Sequence, residues 1–230
     1  DTAVSTKASN YAEPSLIRTN APVTTNVATL AVTIDAASST GLSKSYDGTV
    51  SADDSFSPSY TFSGLVTGDS SAELSFKDAN YNSVNVADAN TLTISGITIN
   101  NISGSRDSYP TDYVLASTTE TVSASINKAV LTVSANSSFK FVGESDPVGF
   151  AGVTYSGFMG SENSSILSGS TILSRTTTPG DLAGDEALIP DLSGLSADNY
   201  SFSAVNGTFT IIPVNELLVH VADASTIYGT

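Results

Sequence analysis

This chain of 230 residues contains no cysteine and no tryptophan, and it has only one histidine. The absence of cysteine excludes disulfides, thiolate catalysis and cysteine-based zinc sites. No apolar run approaches the roughly 20 residues that a membrane-spanning helix needs. The single histidine, His220, lies beside Leu218 and Val219 in an alternating run, which is typical of a strand position rather than of a general base.

Basic residues are also scarce. The chain has 8 lysines and arginines against 23 acidic residues, which gives a net charge of −15. Binding to nucleic acid or to an anionic membrane surface needs clustered positive charge, so this composition argues against both classes of partner. Only 13% of the residues are charged, about half the usual share of a globular protein. Ser, Thr, Asn and Gly are therefore expected to cover much of the surface.

Catalytic patterns are missing as well. Serines are abundant, but none lies in a nucleophile elbow, and no glycine-rich loop is followed by a lysine and a helix. A hydrolase would also need a base that meets its nucleophile in space. We therefore predict a protein that is not an enzyme, with no catalytic residues and no required cofactor.

What the chain does have is internal repetition. Asn10-Tyr11, Asp112-Tyr113 and Asn199-Tyr200 each open a Ser/Thr-rich alternating stretch. Each stretch leads into a hydrophobic run, at 28–34, 129–134 and 216–221. The spacing of 87 residues between Tyr113 and Tyr200 recurs between Leu131 and Leu218. Two markers that keep one period indicate tandem modules.

The repeats predict four segments. Residues 1–26 are interpreted as the closing strands of a preceding module, 27–127 as a complete module (module 1), 128–214 as a second (module 2) and 215–230 as the start of another. The connections, 127–128 and 213–215, are too short to act as flexible linkers. We therefore expect neighbouring modules to abut end to end in an elongated array, of which this chain is a section.

The local pattern predicts a mostly β fold. Period-2 alternation with β-branched residues recurs between turn residues, whereas helical periodicity is almost absent. We predict small antiparallel β modules, each either an Ig-like sandwich or a β-grasp-like sheet. Asn206-Gly207 predicts a hairpin between 200–203 and 208–211. Ser161 is the expected cap of one short helical turn over 161–167, with Ile166 and Leu167 packing inward.

Ordered motifs follow the hydrophobic run in both modules. Module 1 has KSYDGT at 44–49, SGLVTGD at 63–69 and DY at 112–113, and module 2 has KFVGESDP at 140–147, SGFMGSE at 156–162 and NY at 199–200. This order resembles the YDG and MBG (YGX-type) repeat domains of very large bacterial surface proteins. Module 1 is similar to the YDG type and module 2 to the MBG type. Module 2 departs from the pattern in having Phe141-Val142-Gly143 where Tyr-Gly is usual.

The resemblance implies stalk repeats of a giant bacterial adhesin or cell-surface fibre, located outside the cell, with neighbouring repeats of the same protein as partners. Two alternatives remain open. The modules could bind host or matrix glycans or proteins through exposed aromatic residues such as Tyr60, Tyr81 or Tyr109. Alternatively, 1–26 and 215–230 of different chains could complete a split module by strand addition, giving a self-assembling fibre.

Loop carboxylates are the candidate metal ligands. Calcium needs several oxygens that converge on one point. The weak candidates in module 2 are Asp181, Asp185, Asp191 and Asp198; further acidic residues in predicted loops are Asp53, Asp54, Asp78, Asp88 and Glu186. There is no EF-hand loop and no nonapeptide calcium repeat, so solvated turn acids are the default interpretation. Calcium is the one cofactor that the sequence suggests.

Aromatic residues recur at fixed places in the modules. We interpret Tyr46 and Phe141 as equivalent, and likewise Tyr113 and Tyr200. Recurrence in every copy is typical of a core position. We therefore predict that these rings fill the core and that their hydroxyls bond to nearby backbone carbonyls.

Overall fold

The computed structural model describes residues 26–176 and 181–214. The predicted pieces of neighbouring modules at 1–26 and 215–230 lie outside this range, apart from residue 26. In the part of the chain that the structure describes, the regular elements are β-strands and two short 3-10 turns, Pro110–Asp112 and Ser164–Ile166. The prediction of a mostly β fold is confirmed.

Module 1 contains ten strands among its described residues. They are β1 (Ala28–Ile34), β2 (Ser43–Ser45), β3 (Tyr60–Ser63), β4 (Asp69–Ser75), β5 (Asp78–Tyr81), β6 (Thr91–Ser95), β7 (Thr98–Gly104), β8 (Tyr113–Leu115), β9 (Thr119–Ser123) and β10 (Ser125–Asn127). Strand β1 lies between β3, to which it is antiparallel, and β8, to which it is parallel. Strands β5, β6 and β9 form a second sheet, β2 pairs with β10 in parallel, and β4 pairs with β7.

Module 2 contains nine described strands. They are β11 (Ala129–Ala135), β12 (Ser138–Phe141), β13 (Val153–Ser156), β14 (Ser168–Gly169), β15 (Ile172–Arg175), β16 (Gly184–Asp191), β17 (Leu195–Ser196), β18 (Tyr200–Val205) and β19 (Gly207–Ile212). Strand β11 lies between β13 and β18, the order β12-β19-β16-β15 forms the second sheet, and β14 pairs with β17.

The two modules therefore share one topology. Strands β1 to β8 correspond in order to β11 to β18, and β9 with β10, which Ala124 alone separates, corresponds to β19. The main difference is the pair β4–β7, whose strands have seven residues each, against two each in β14–β17. This pair accounts for much of the greater length of module 1.

The sheets are mixed rather than purely antiparallel. The parallel pairs are β1–β8, β2–β10, β11–β18 and β12–β19. Parallel partners need a long crossover connection, and the two strands of each pair are separated by most of a module. Alternation along a strand reports which face is buried, but it carries no information on the direction of the neighbouring strand.

The predicted hairpin at Asn206-Gly207 is wrong. Strand β18 pairs with β11, whereas β19 pairs with β12 and β16, so the chain crosses from one sheet to the other at this point. A Cβ atom on Gly207 would lie 2.5 Å from the carbonyl oxygen of Ala135. The glycine is needed for this close approach of two backbones rather than for a two-residue turn.

Inward-facing residues of the first strand of each module begin the core. Leu30, Val32 and Ile34 of β1 are buried, as are Leu131 and Val133 of β11. Full burial of one such side chain contributes about 1.5–3 kcal/mol. This period-2 pattern is what the sequence showed, and it fixes which face of each sheet points inward.

One glycine in each module lies in close contact with the backbone of the first strand. Gly64 and Gly157 have positive φ angles of 93° and 106°. A Cβ atom would lie 2.2 Å from the carbonyl oxygen of Thr29 in the first case and 2.7 Å from that of Val130 in the second. Both the backbone angle and the contact require glycine, which explains the shared Ser-Gly of the motif.

The short helical turn in module 2 is a 3-10 turn at Ser164–Ile166. Its cap is Asn163, whose side chain accepts a hydrogen bond from the Ser165 backbone N–H at 3.0 Å, and not Ser161 as expected. Leu167 packs against the core, while Ile166 is exposed.

Candidate functional site

The repeated tyrosine anchors the same loop in both modules. The Tyr113 hydroxyl accepts a hydrogen bond from the Val66 N–H at 2.9 Å and donates to the Asp69 carboxylate at 2.5 Å. In module 2 the Tyr200 hydroxyl accepts from the Met159 N–H at 2.8 Å and donates to Glu162. The hydroxyls are thus bonded to a carboxylate and a backbone N–H, not to a backbone carbonyl as expected. This arrangement explains why the SGLVTGD and SGFMGSE motifs end in an acid.

The carboxylate of module 2 also binds module 1. The Tyr46 hydroxyl donates to Glu162 Oε1 at 2.7 Å, so one glutamate accepts from a tyrosine of each module. The rings of Tyr46 and Tyr200 meet edge to face with their centroids 5.4 Å apart. Such a pair adds about 0.5–1.5 kcal/mol beyond the area that it buries. We call Tyr46, Glu162 and Tyr200 the tyrosine clamp.

A second polar contact lies beside the tyrosine clamp. The Asn199 side chain accepts from the Val86 N–H at 3.0 Å and donates to Asn85 Oδ1 at 3.1 Å. Asn85 and Val86 belong to the loop between β5 and β6 of module 1. Asn199 directly precedes Tyr200, so the Asn-Tyr pair engages the neighbouring module with both residues.

An apolar core continues across the joint. A single cluster of buried residues includes Ile34, Tyr46 and Ile126 of module 1 with Leu131 and Tyr200 of module 2. Phe158 and Met159 of module 2 pack against it. The modules are therefore joined by packed side chains as well as by the single intervening residue Lys128 between β10 and β11.

The two tyrosines of the clamp keep their hydroxyl protons at neutral pH. Burial, and then the hydrogen bond to the Glu162 carboxylate, raises the pKa of Tyr46 to about 12. The same two causes, in the same order, raise the pKa of Tyr200. Both hydroxyls therefore remain donors to Glu162 under physiological conditions.

The structural equivalent of Tyr46 is Val142 rather than Phe141. The Tyr46 N–H bonds to the Asn127 carbonyl at 2.8 Å, and the Val142 N–H bonds to the equivalent Ile212 carbonyl at 2.9 Å. The lysines two positions earlier pair with Ile126 and Ile211 in the same way. The lysine keeps the register, and the aromatic residue has shifted by one position in module 2.

These lysines are buried in both modules. Lys44 has a side chain that is 2% exposed. Its ammonium lies 2.7 Å from Asp47 Oδ1, 2.9 Å from the Thr49 carbonyl and 2.7 Å from the Ser51 carbonyl. A buried ammonium needs such partners, and these acceptors hold the loop that follows β2. The Lys-x-Tyr-Asp motif is thus a loop anchor.

Lys140 lies at the same place in module 2 but in a larger charge cluster. It contacts Asp181, and its ammonium is 3.0 Å from Asp146. The Arg175 guanidinium binds three carboxylates: Nε lies 2.8 Å from Asp146 Oδ2, Nη2 lies 2.5 Å from Asp181 Oδ1, and Nη1 lies 2.8 Å from Glu186 Oε2. The guanidinium also lies 5.4 Å from the centroid of the Phe209 ring.

The charge cluster stabilises the ionised forms of Lys140, Asp146 and Asp181. The Lys140 ammonium and then the Arg175 guanidinium lower the pKa of Asp181. The hydrogen bond from Arg175 is the main cause of the lowered pKa of Asp146. The hydrogen bond to Asp181 raises the pKa of Lys140. Opposite charges within hydrogen-bonding distance produce these shifts.

The four calcium candidates do not lie together in one polar site. Asp181 pairs with Lys140 and Arg175, while Asp185 accepts from Thr210 Oγ1 at 2.7 Å. Asp191 accepts from the Ser193 N–H at 2.9 Å. Across 26–176 and 181–214, there is no group of three or more His, Asp or Glu arranged to hold a metal ion. Calcium binding stays a prediction.

The three aromatic candidates for ligand binding differ in exposure. Tyr81 is buried, and Tyr60 is half-buried against the core of module 1. Tyr109 is 67% exposed. Of the three, Tyr109 is therefore the residue whose ring is available to a partner.

Sequence reasoning missed Glu162, Lys44 and Lys140 as important residues. Glu162 is 116 positions away from Tyr46, so no local pattern could join them. The available signal was the repetition itself. The acid that ends each seven-residue Ser-Gly motif, and the lysine that opens the motif before it, recur at equivalent positions in both modules.

Comparison with protein-family models finds two matches. Residues 28–121 match the YDG domain, and residues 131–210 match the MBG domain (YGX type). The comparisons with curated proteins and with solved structures gave no significant match.

Both family matches lie inside the modules that share the tyrosine anchor and the buried lysine. No helix within the described ranges is long and apolar enough to cross a membrane. YDG and MBG domains point to adhesin-like or surface-repeat families. The chain thus contains a YDG domain at residues 28–121, followed in tandem by an MBG domain of the YGX type at residues 131–210.

Proposed function

We propose that this pair of domains is a non-catalytic structural section of an extracellular bacterial adhesin or surface fibre, acting as a stalk that holds a binding domain away from the cell. The observation that carries the proposal is the joint. The tyrosine clamp, the Asn199 contacts and a continuous apolar core fix one module against the next. A joint of this kind transmits position along an array, which a chain of loosely tethered binding modules would not need.

The buried cationic side chains also support a structural, non-catalytic role. Lys44, Lys140 and Arg175 are each satisfied by carboxylates or carbonyls of their own module. Active sites instead keep polar groups available to a substrate. The net charge of −15 favours solubility of a long extended protein.

The stiffness of the joint is testable because the chain contains no cysteine. Cysteines introduced at the exposed positions Ser103 and Ser203 would carry spin labels, one in each module. Pulsed electron resonance should give one narrow distance, and Tyr46→Phe should broaden it. Tyr60→Phe is the matched control, since the Tyr60 hydroxyl is buried without a hydrogen-bond partner in the structure. A broad distribution in the unaltered chain would contradict the proposal.

The extracellular location is tested separately. Antibodies raised against residues 27–214 should label intact cells of the producing organism, and external protease should remove the signal. Labelling that appears only after lysis would reject the surface location while leaving the joint measurement intact.

One observation favours glycan binding as a second candidate function. The exposed ring of Tyr109 borders a cleft of about 500 Å³ lined by 101–104 and 106–110. An aromatic face beside amide, hydroxyl and guanidinium groups is a suitable surface for a sugar. Binding of the full chain on a glycan array should be lost in Tyr109→Ala. Absence of binding, or binding that Tyr109→Ala leaves unchanged, would reject this candidate.

A further inference from the structure

The joint gives both oxygens of one carboxylate a donor. Glu162 accepts from Tyr200 of its own module through one oxygen and from Tyr46 of the preceding module through the other. One oxygen of the carboxylate thus holds the loop of its own module, and the other oxygen binds the module before it.

Asp69 is the equivalent acid of module 1, and only one of its two carboxylate oxygens accepts a hydrogen bond. Its Oδ2 accepts from Tyr113. Its Oδ1 is buried and has no hydrogen-bond partner in the structure. A buried acceptor that remains unpaired lowers the free energy of unfolding by about 1–3 kcal/mol. A donor to this oxygen would therefore stabilise the module.

The surface around Asp69 differs from its counterpart in the way expected of an uncovered joint. Met159 is half-buried against the core that crosses the joint, whereas the equivalent Val66 is 38% exposed. Arg106 packs along Gly68. Burial and then the hydrogen bond to Asp69 raise the pKa of Tyr113, and the nearby Arg106 guanidinium only partly opposes this. Arg106 nevertheless forms no ion pair with Asp69 in the described part of the chain.

We propose that the Asp69 end of module 1 is a docking surface for a preceding module of the same fold that carries Lys-x-Tyr at its second strand, with the tyrosine directly after the strand. Docking displaces the groups that cover Asp69 Oδ1 in the present structure, and the hydroxyl of this tyrosine then donates to that oxygen. This docking surface continues the joint described above, because the same loop, tyrosine and acid recur on the same side of the fold. It rests on the proposed function, since it extends the array by one module.

The proposal also specifies which module precedes. Module 1 presents Tyr46 at the end of its second strand, whereas module 2 presents Val142 at the equivalent position. Valine has no hydroxyl, so a module of the second kind would leave Asp69 Oδ1 without a donor. The occupant is therefore a module that resembles module 1, and the acid–tyrosine pair sets the order of the array.

The test inserts a second copy of residues 27–127 directly after Asn127 in the full chain. Tyr46 of the first copy then faces Asp69 of the inserted copy, and the original joint to Glu162 is kept as an internal reference. Tyr46→Phe in the first copy and Asp69→Ala in the inserted copy should each lower the thermal midpoint by about 2–4 °C. The double variant should lose no more than Asp69→Ala alone, because that change already removes the bond from Tyr46 as well as the bond from Tyr113. Additive losses would overturn the proposal.

A second chain tests the order of modules. Residues 1–26 are replaced by a copy of 128–214, so that Val142 faces Asp69. In this chain, Asp69→Ala should lower the thermal midpoint by no more than it does in the original chain. Val142→Tyr in the added copy should restore the energetic coupling between position 142 of that copy and Asp69. Coupling without the tyrosine, or none after it is introduced, would contradict the assigned donor. A failure here would leave the spin-label and surface-labelling tests of the proposed function unaffected.

Discussion

Module 1 and module 2 bury a lysine at the same position of the same topology, but they satisfy it differently. Lys44 is held by two backbone carbonyls, a threonine hydroxyl and the half-exposed Asp47. Lys140 is held mainly by Asp146 and Asp181, both of which also bind Arg175, and by a single backbone carbonyl, that of Glu144. The fold therefore requires an ammonium group beneath the loop after the second strand, whereas the groups that receive it are free to vary.

The difference has an electrostatic consequence. Backbone carbonyls keep their hydrogen-bonding capacity at any pH, whereas carboxylates lose their charge in acid. Module 1 should thus depend little on the ionisation of its anchor, and module 2 strongly. Four measurements would break or sharpen this contrast.

The largest effect is expected for Arg175→Met. The change leaves three carboxylates with Lys140 as their remaining cation in the cluster. Loss of one partner from a buried ion pair costs about 3–5 kcal/mol, and partial exposure of the aspartates reduces this to about 3 kcal/mol. Hydrogen exchange followed by mass spectrometry should show the loss in module 2 alone. Arg106→Met is the control in module 1, and an equal loss of protection there would contradict the contrast.

Lys44→Met should destabilise module 1 by about 2 kcal/mol, because the Thr49 and Ser51 carbonyls lose their donor in a buried loop. Urea unfolding monitored by circular dichroism would measure the change, and Lys77→Met on the exposed surface of the same module provides the reference. A loss no greater than that of the reference would show that water replaces the ammonium.

Acid should separate the two lysines. The pKa values of Asp146 and Asp181 are lowered in the folded state from the ordinary value of 3.8. Their stabilising contribution is therefore complete above about pH 5 and is lost progressively as the pH falls through the folded-state pKa values. The cost of Lys140→Met should therefore shrink between pH 5 and pH 3. The cost of Lys44→Met should shrink less, because Asp47 is one carboxylate beside two backbone carbonyls and a threonine hydroxyl. Parallel pH profiles for both variants would refute the distinction between carboxylate and carbonyl partners.

The smallest effects concern the segments that lead into the repeated tyrosine. Asn199→Ala should cost about 1 kcal/mol, because two hydrogen bonds to module 1 are removed. Tyr109→Ala, in a loop of module 1 that is longer than its counterpart in module 2, should change stability by less than about 0.5 kcal/mol. Thermal unfolding of the two variants would rank them, and a reversed rank would contradict the assignment of the joint.

Much of the architecture could be predicted from repetition. The offset of the Asn/Asp-Tyr marker placed the first strand of each module, and the alternation of Leu30, Val32 and Ile34 identified the buried face. Tyr113 and Tyr200 were correctly placed in the core. These features follow from local periodicity, which a single sequence displays directly.

Strand direction and partners could not be predicted in the same way. The Asn206-Gly207 pair looks like a hairpin turn, but the glycine is selected by the nearby carbonyl of Ala135, which is distant in sequence. The sequence pattern aligned Phe141 with Tyr46 because both are aromatic, whereas the residue at the position of Tyr46 in module 2 is Val142. The lysine is the residue whose burial fixes the register.

The parallel pairing of the first strand with a strand near the end of its module has a mechanical consequence. Strands β1 and β8, and likewise β11 and β18, run in the same direction. When a tether pulls the two ends of such a module apart, the hydrogen bonds between these strands are loaded together in shear, and they cannot open one at a time like a zipper. Rupture then requires the simultaneous loss of several bonds, so tension along the array meets its strongest resistance at the strand that begins each repeat.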